Sequence, residues 1–552
     1  MKKAMMAALI FLSTTATLFA GGNSEKAAGT ASQSTEQSKI LRIMNLDVLD
    51  SLDTQIATSG TAFEVIANTT DGLMQMKADG SVEKALCASE EVSADGLVRT
   101  YKIREDANWS NGDPVTAADF VYGWHRAVDP AIASEYSWML SDIGQVKNAA
   151  AIIEGKMPVE DLGVKALDAK TLQVTLAAPV SFFDELMYFP TYYPVNQKFC
   201  ESKGDTYATS ADTLLSNGAF VMTDYEPAAT TFKMVKNQSY YDADRIKIDG
   251  INYQVLLDSQ QALMSYQNDD LDMIILSGDQ IDQVKDDPDY LTYGAGYLWY
   301  LQPNIQDNPV LANLNFRKAL TFALNRDSIV ENVTKDGSVP CYAMCPSELS
   351  FNEEGEDFTS DPKTFEDDCA FDLAKATMYY NKAKAELGMD TFDIEMIVDD
   401  LSIQQNVAAV IKSQLEKALP GLTLELRVEP KKQRVQDGYD RNFDVTLTRW
   451  GPDYADPTTY LGMFVTGNSN NWGEWSNADY DKLIYDCMAG DLINKPAERW
   501  QALKEAEAIG MADAVIMPLY QQSNAVMVNP KVKGLAFHPV ALNRVYKDVY
   551  FE

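Results

Sequence analysis

The pattern of apolar and polar positions alternates between strand-like and helix-like periods along most of the chain. Short segments at residues 40–44 and 97–103 have the length and residue types of strands. Segments with apolar residues at helical spacing lie between such runs, and we find no internal repeat. The sequence therefore predicts α/β lobes.

The clearest helix follows a dense turn at residues 108–114. Thr116 and Asp119 have the spacing of a capping box, apolar residues then recur at helical spacing, and Asp129-Pro130 ends the pattern. The same reasoning predicts three further helices, at residues 62–74, 315–333 and 497–512. A strand is predicted after the last of them, at residues 515–520.

The first residues have the features of a secretory signal peptide. Lys2 and Lys3 precede an apolar run, and small residues follow it up to Gly21. We predict a signal peptide at residues 1–20 and a flexible Gly/Ser-rich tether at residues 21–38. Such a tether often follows a lipid anchor, but an anchor needs a cysteine at the cleavage point and the first cysteine is Cys87. We therefore expect a soluble periplasmic protein.

Charge and composition exclude several classes of function. The net charge of −35 argues against nucleic acid or anionic lipid as a partner. Two histidines, His125 and His538, are too few for a histidine-ligated metal site or a Ser-His-Asp triad to be plausible. Six cysteines permit disulfides in an exported protein, but their pairing cannot be read from the sequence. We expect no enzyme, no metal site and no cofactor.

Several separated segments resemble one family of binding proteins. Residues 104–124 resemble a signature of the family 5 extracellular solute-binding proteins, and the pattern is most similar to the oligopeptide-binding members. The similarity extends from about residue 40 to the C-terminus, with further matches at residues 161–166, 216–220 and 304–327.

The resemblance implies a two-lobed periplasmic-binding-protein clamp with an extra inserted domain. Two chain crossings would form the hinge, and the ligand would bind between domains I and III. The implied boundaries are residues 39–70, 196–296 and 521–552 for domain I, 71–195 for the inserted domain II, and 297–520 for domain III.

The implied function is the capture of short peptides by a monomer and their delivery to an inner-membrane ABC permease. A buried peptide ammonium needs a counter-charge, because an unpaired buried charge is costly. The resemblance assigns this role to Asp453, which follows the strand that ends at Trp450. Without the family, Asp453 would be interpreted as a turn residue.

The resemblance also implies further ligand contacts. Trp450 would form an apolar wall, or else belong to the core. Tyr136 would donate its hydroxyl near the ligand amino terminus, or else be a half-exposed surface aromatic. Gln302 stands where relatives carry an acid that faces the ligand, and Gly451 and Asn304, within the matching segments, complete the predicted set.

The side of the site that would hold the peptide carboxylate differs from that of the relatives. Leu447 and Gly438 stand where relatives have arginines that can pair with the carboxylate, and Lys431 replaces a pocket tryptophan. Lys431 could itself reach the carboxylate, or it is a solvated surface charge.

Other functions remain open from the sequence. The same fold could bind a nickel chelate, haem or an oligosaccharide, although an acid placed for an ammonium favours peptides over neutral sugars. A periplasmic chaperone or a chemosensory partner is a second alternative. A peptidase is a third, but we find no nucleophile and base that could form its active site.

Overall fold

One mixed sheet organises the computed structural model, which describes residues 38–49, 51–78, 80–180, 182–226, 228–352, 354–361, 363–493 and 495–552. In spatial order its main strands are Leu422–Glu429, Phe392–Asp399, Val445–Trp450, Tyr290–Pro303, Met517–Val528, Met273–Leu276, Ile40–Asn45, Gly250–Val255, Thr231–Lys236 and Phe220–Asp224; Val339–Pro340 also pairs with Met517–Val528.

Two long strands connect the two halves of this sheet. Tyr290–Pro303 and Met517–Val528 pair with each other in antiparallel register. The first also pairs with Val445–Trp450 in one half, and the second with Met273–Leu276 in the other. A register shift between Gly294 and Leu298 forms a β-bulge in the first strand, where the halves meet. Such bulges redirect side chains, and here the redirected residue is Tyr297.

Three two-stranded sheets and a separate four-stranded sheet complete the strands. The four-stranded sheet lies within the predicted domain II, with the spatial order Cys87–Val92, Val98–Ile103, Thr171–Thr175 and Val164–Asp168. The two-stranded sheets pair Met74–Met76 with Val82–Lys84, Val532–Lys533 with Tyr550–Phe551, and Ala536–Phe537 with Arg544–Val545.

Helices cover the sheets and the connections between strands. The α-helices are Gly60–Thr69, Ala117–Val128, Ala149–Ile153, Phe183–Leu186, Gln197–Lys203, Ser259–Gln267, Ile281–Val284, Pro309–Ala312, Leu314–Ala323, Arg326–Ile329, Glu366–Cys369, Leu373–Leu387, Ser402–Ala418, Lys431–Tyr439, Thr458–Leu461, Ala478–Met488 and Pro496–Ala512. Short 3₁₀ or π turns are Met139–Ile143, Val159–Asp161, Pro190–Tyr192, Gly204–Thr206, Ala211–Thr213, Gly278–Gln280, Val330–Thr334 and Gly462–Phe464.

The buried apolar residues form separate cores in the two halves. The largest core packs residues of the predicted domains I and II together, and it includes Trp124 and Tyr253. Two further cores lie in the predicted domain III, around Phe316 and Leu447 in one case and around Tyr460 and Phe464 in the other. Burial of these apolar surfaces supplies the main favourable term for each half.

The structure confirms the locally encoded elements. The capping box is present, since the backbone N–H of Thr116 donates to the Asp119 carboxylate at 2.7 Å. The helix Pro496–Ala512 and the strands Ile40–Asn45 and Val98–Ile103 also form where they were predicted.

Three predicted boundaries are wrong, each for a tertiary or capping reason. The helix predicted at 62–74 ends at Thr69, because the next turn brings Gly72 against the Met187 carbonyl, where a side chain could not fit. The helix predicted at 315–333 is divided, because Asn325 caps a new helix through its bond to the Ser328 N–H. The strand predicted at 515–520 extends to residue 528, because it pairs across both halves of the sheet.

The predicted signal peptide and nearly all of the tether lie outside the described residues. All six cysteines are buried and unpaired. In the described part of the chain, no helix has the length and apolar character to cross a membrane, and no cluster of metal-ligating side chains occurs.

Candidate functional site

Asp453 is a buried acid with no counter-charge among the residues that the structure describes. It lies in the loop after the strand Val445–Trp450, and its backbone N–H donates to the Thr459 hydroxyl at 3.2 Å. Its side chain is almost fully buried, and Oδ2 has no hydrogen-bond partner among the residues that the structure describes. Burial therefore raises the pKa of Asp453 to about 8. An unpaired buried carboxylate is costly, which indicates a site whose partner is a ligand.

Two tyrosines of the predicted domain II lie close to this acid. Burial, and next the nearby Asp453 charge, raise the pKa of Tyr136 well above its usual range. Tyr136 packs against Phe63 and Phe189, with ring centroids 5.3 Å apart in each pair. Tyr188 also lies within electrostatic range of Asp453, and burial is the main cause of its raised pKa. The structure thus brings Asp453 and Tyr136 together from sequence positions more than three hundred residues apart.

The strand before Asp453 has a free backbone edge. One edge of Val445–Trp450 pairs with Tyr290–Pro303 along its whole length. The other edge pairs with Phe392–Asp399 only through Val445 and Thr446. From Leu447 to Gly451 this second edge has no strand partner within the described residues, so its N–H and C=O groups can pair with an added extended chain.

Gly451 allows a close approach at the end of this edge. A Cβ atom at Gly451 would lie 2.4 Å from the Tyr297 ring, which is closer than atoms can approach. The strand bulge places Tyr297 here. Gly451 is therefore required by the packing of Tyr297 against the end of the strand Val445–Trp450.

Other unpartnered buried polar atoms lie near the same strand. Gln302 is opposite Thr446 in the sheet, and its Nε2 donates to the Asn470 carbonyl at 3.4 Å. In the described chain, no hydrogen-bond partner is present for four buried atoms in this region, which are Gln302 Oε1, Thr446 Oγ1, Trp450 Nε1 and Trp472 Nε1. Buried polar groups are normally paired, so this concentration indicates a place where a ligand or water completes the bonds.

Two predicted site residues have other partners. The Asn304 side chain donates to the Phe443 carbonyl at 3.1 Å and accepts from the Asp307 N–H at the same distance, so it holds a loop. Lys431 is partly exposed and lies 3.7 Å from Asp47, which belongs to the other half of the sheet.

Leu447 and Gly438, where the family resemblance implies arginines, are both enclosed. Leu447 is completely buried in the core. Gly438 faces Trp472 so closely that a Cβ atom would lie 2.6 Å from the ring. Neither position can direct a long charged side chain toward a ligand in this packing.

The sequence reasoning missed several residues of this site. Tyr188, Tyr297, Thr446 and Trp472 were not predicted because their roles depend on contacts between distant segments. Only Tyr297 had a local signal, because the glycines at 294 and 296 just before it are typical of a strand bulge.

The fold is that of a two-lobed binding protein, and Asp453 with the strand edge before it is its candidate ligand site. The model of the bacterial extracellular solute-binding proteins, family 5 Middle, matches residues 81–472. The dipeptide-binding protein of Lactococcus lactis subsp. cremoris is 34% identical over 94% of this chain and 96% of its own length. The oligopeptide-binding protein OppA of Bacillus subtilis is 30% identical over 91% of each chain. The solved structure of Listeria monocytogenes OppA bound to peptide superposes with a TM-score of 0.85 at 35% identity, covering 93% of this chain and 99% of the other. The chain belongs to the family 5 bacterial extracellular solute-binding proteins.

Proposed function

We propose that this protein is the ligand-binding component of an ABC-type peptide importer and that it captures short peptides through their free amino terminus. The observation that carries the proposal is the Asp453 carboxylate, which is buried and has no partner in the described chain. A ligand ammonium would supply the missing charge and hydrogen-bond donor. The printed names of the relatives, which are dipeptide- and oligopeptide-binding proteins, support this class of ligand.

The free strand edge supports a peptide over other solutes. An extended peptide can pair its main chain with Leu447 to Gly451, which gives affinity that does not depend on its side chains. A neutral sugar has no cation to pair with the acid and no regular ladder of N–H and C=O groups to pair with the edge. The free edge and Asp453 would together bind the two features that all linear peptides share, which are a regular backbone and an amino terminus.

Contacts between the lobes would favour a closed clamp around the ligand. Phe182 stacks on Tyr454 with ring centroids 5.9 Å apart, and Lys431 lies near Asp47. Because these contacts join the two halves, a peptide that touches both would stabilise the same arrangement. A closed, ligand-loaded clamp would then be the form that a permease recognises.

We further propose that the protein is exported, acts as a monomer and does not hydrolyse the peptides it binds. The family description as extracellular solute-binding proteins supports export and a binding role. Asp453 would act as a counter-charge and not as a catalytic acid.

The proposal is tested by identifying what the purified protein carries. Wild type and Asp453→Asn are purified in parallel from the native host or an expression host, unfolded, and the released small molecules are analysed by mass spectrometry. We expect short peptides with free amino termini from wild type and a much smaller amount from the variant. Recovery of sugars, haem or metal chelates in stoichiometric amount instead of peptides would contradict it.

A further inference from the structure

The two long strands that connect the halves stop pairing with each other at one level of the sheet. Gly294 is opposite Ser523 and Leu298 is opposite Gln521, but residues 295–297 between them have no partner in the second strand. Gly296 has a φ of +74°, a conformation that few residues other than glycine adopt. Because the ladder of hydrogen bonds is interrupted here, this is the level at which one half can rotate against the other.

The outer edge of the strand Met517–Val528 is shared by two short strands, one from each half. Met273–Leu276 of the predicted domain I pairs with its end, and Val339–Pro340 of the predicted domain III pairs with its middle. Residues 522–524 lie between the two pairings and face neither strand. The gap on this edge therefore falls at the same level as the gap between the two long strands.

Residues 335–338 of the predicted domain III cross this gap. The Ser523 N–H donates to the Ser338 hydroxyl at 3.1 Å, and the Ser523 hydroxyl donates to the Gly337 carbonyl at 3.0 Å. Gly337 has a φ of +88°, and a Cβ atom there would lie 3.2 Å from Thr292 on the other long strand. The segment 335–338 is thus held against both long strands at the level where the halves can rotate.

Lys335 extends from this segment to the acids of the opposite half. Its Nζ lies 2.7 Å from the Asp279 carboxylate and 2.9 Å from that of Asp282, both in the predicted domain I. Among the described residues, Lys431 is the other lysine of the predicted domain III that pairs with domain I, and it lies 3.7 Å from Asp47. Lys335 therefore makes the closer ionic contact between these two halves, and it makes it twice.

The backbone of Lys335 adopts a conformation that is unfavourable for a lysine. Its φ is +56°, in the left-handed region that favours glycine, and its N–H donates to the Val330 carbonyl to end a short helical turn. Hydrogen bonds to the Asp279 and Asp282 carboxylates raise the pKa of its amine to about 12, so the charge persists at neutral pH. The two acids account for a long cationic side chain at this position.

We propose that Lys335 is an ionic latch across the hinge, which stabilises the arrangement in which the lobes touch and makes ligand affinity depend on ionic strength. The lobes touch in this structure, since Phe182 stacks on Tyr454. Rotation of one half against the other changes the distances from Lys335 to both acids, so opening the clamp breaks the latch. Salt screens it, because Asp279 and Asp282 are exposed. The inference goes beyond the proposed function, because the latch acts on the lobes and not on the ligand.

A charge-swap cycle tests the latch. The proteins are wild type, Lys335→Glu, Asp279→Lys, the double variant Lys335→Glu/Asp279→Lys and the control Lys285→Glu. Lys285 is a matched control, because it pairs with the same Asp282 at 3.1 Å but lies in the same half. Each protein is titrated with trialanine by calorimetry in about 20 mM and about 0.5 M sodium chloride. The radius of gyration of each ligand-free protein is measured by small-angle X-ray scattering in the same buffers.

One exposed ion pair changes an equilibrium constant by at most about fivefold, and Lys335→Glu breaks two such pairs and adds repulsion. At low salt this variant should therefore bind trialanine roughly five- to 50-fold more weakly than wild type and have a larger radius of gyration. The difference from wild type should shrink at high salt, the double variant should recover part of the loss, and Lys285→Glu should stay within about twofold of wild type.

A loss in Lys335→Glu no greater than that in Lys285→Glu would overturn the latch while leaving the proposed function standing. A double variant that binds no better than Lys335→Glu, or a loss that salt does not reduce, would also overturn it. If wild type binds no trialanine, the proposed function fails. The scattering then decides the latch alone, and an unchanged radius of gyration in Lys335→Glu would overturn it.

Discussion

Asp453 should lower the free energy of unfolding of the ligand-free protein at neutral pH. Asp453 has a pKa of about 8 in the folded protein and an ordinary value of 3.8. Between these two values the folded protein retains a proton that the unfolded chain has released. The stability that this group contributes is therefore fully present below about pH 4 and is lost as the pH rises through about 8. Asp453→Asn should remove this loss.

The magnitude follows from the size of the shift. At 1.36 kcal/mol per pH unit, the cost to the wild type is about 4 kcal/mol at pH 7, as an upper limit. The asparagine amide would also lack a partner, which costs roughly 1–3 kcal/mol. We expect the free energy of unfolding of the ligand-free variant to exceed that of wild type by roughly 1–3 kcal/mol at pH 7, and by more at pH 8.

The measurement is the unfolding of ligand-free wild type and Asp453→Asn from pH 4 to pH 9, by calorimetry or denaturant titration. A matched control is Asp456→Asn on the same loop. Burial opposes ionisation of Asp456, but Arg499 pairs with it at 2.7 and 2.8 Å and lowers its pKa. That variant should lose roughly 3–5 kcal/mol at neutral pH. A stability difference between Asp453→Asn and wild type that does not change with pH would refute the reasoning.

Three further outcomes are expected. Peptide binding at pH 6.5 should release close to one proton, because Asp453 is protonated before the ammonium arrives; calorimetry in buffers of different ionisation enthalpy measures this, and no buffer dependence would contradict it. Lys431→Ala should change peptide affinity by less than about fivefold, since partly exposed ion pairs contribute about 0–1 kcal/mol; a larger loss in titration would restore Lys431 as a ligand contact. Burial raises the pKa of Glu507 to about 7, so its contribution to stability is lost as the pH rises through that value, and Glu507→Gln should be more stable than wild type at pH 8 by up to about 3 kcal/mol in denaturant titration; equal stability there would contradict this.

The sequence predicted what local patterns encode. The capping box of Thr116 and Asp119 fixes one helix start because its partners are three residues apart. The predicted end of the helix Gly60–Thr69 was wrong, because Gly72 packs against the carbonyl of a residue that is distant in the sequence. No local pattern reveals such a contact.

The candidate site also has a part that the sequence predicts and a part that depends on tertiary packing. Asp453 could be singled out by resemblance, but its burial and lack of a partner depend on packing between the lobes.

The central claim is that Asp453 binds the peptide ammonium. The most direct test is a thermodynamic cycle that titrates wild type and Asp453→Ala with one bound peptide, in its free and its N-acetylated form. Breaking a buried charge pair costs roughly 3–5 kcal/mol, so either change alone should weaken binding by about two to three and a half orders of magnitude. Acetylation should then have little further effect in the variant, because the same interaction is already lost. Equal affinity of the free and acetylated peptides for wild type would contradict the claim.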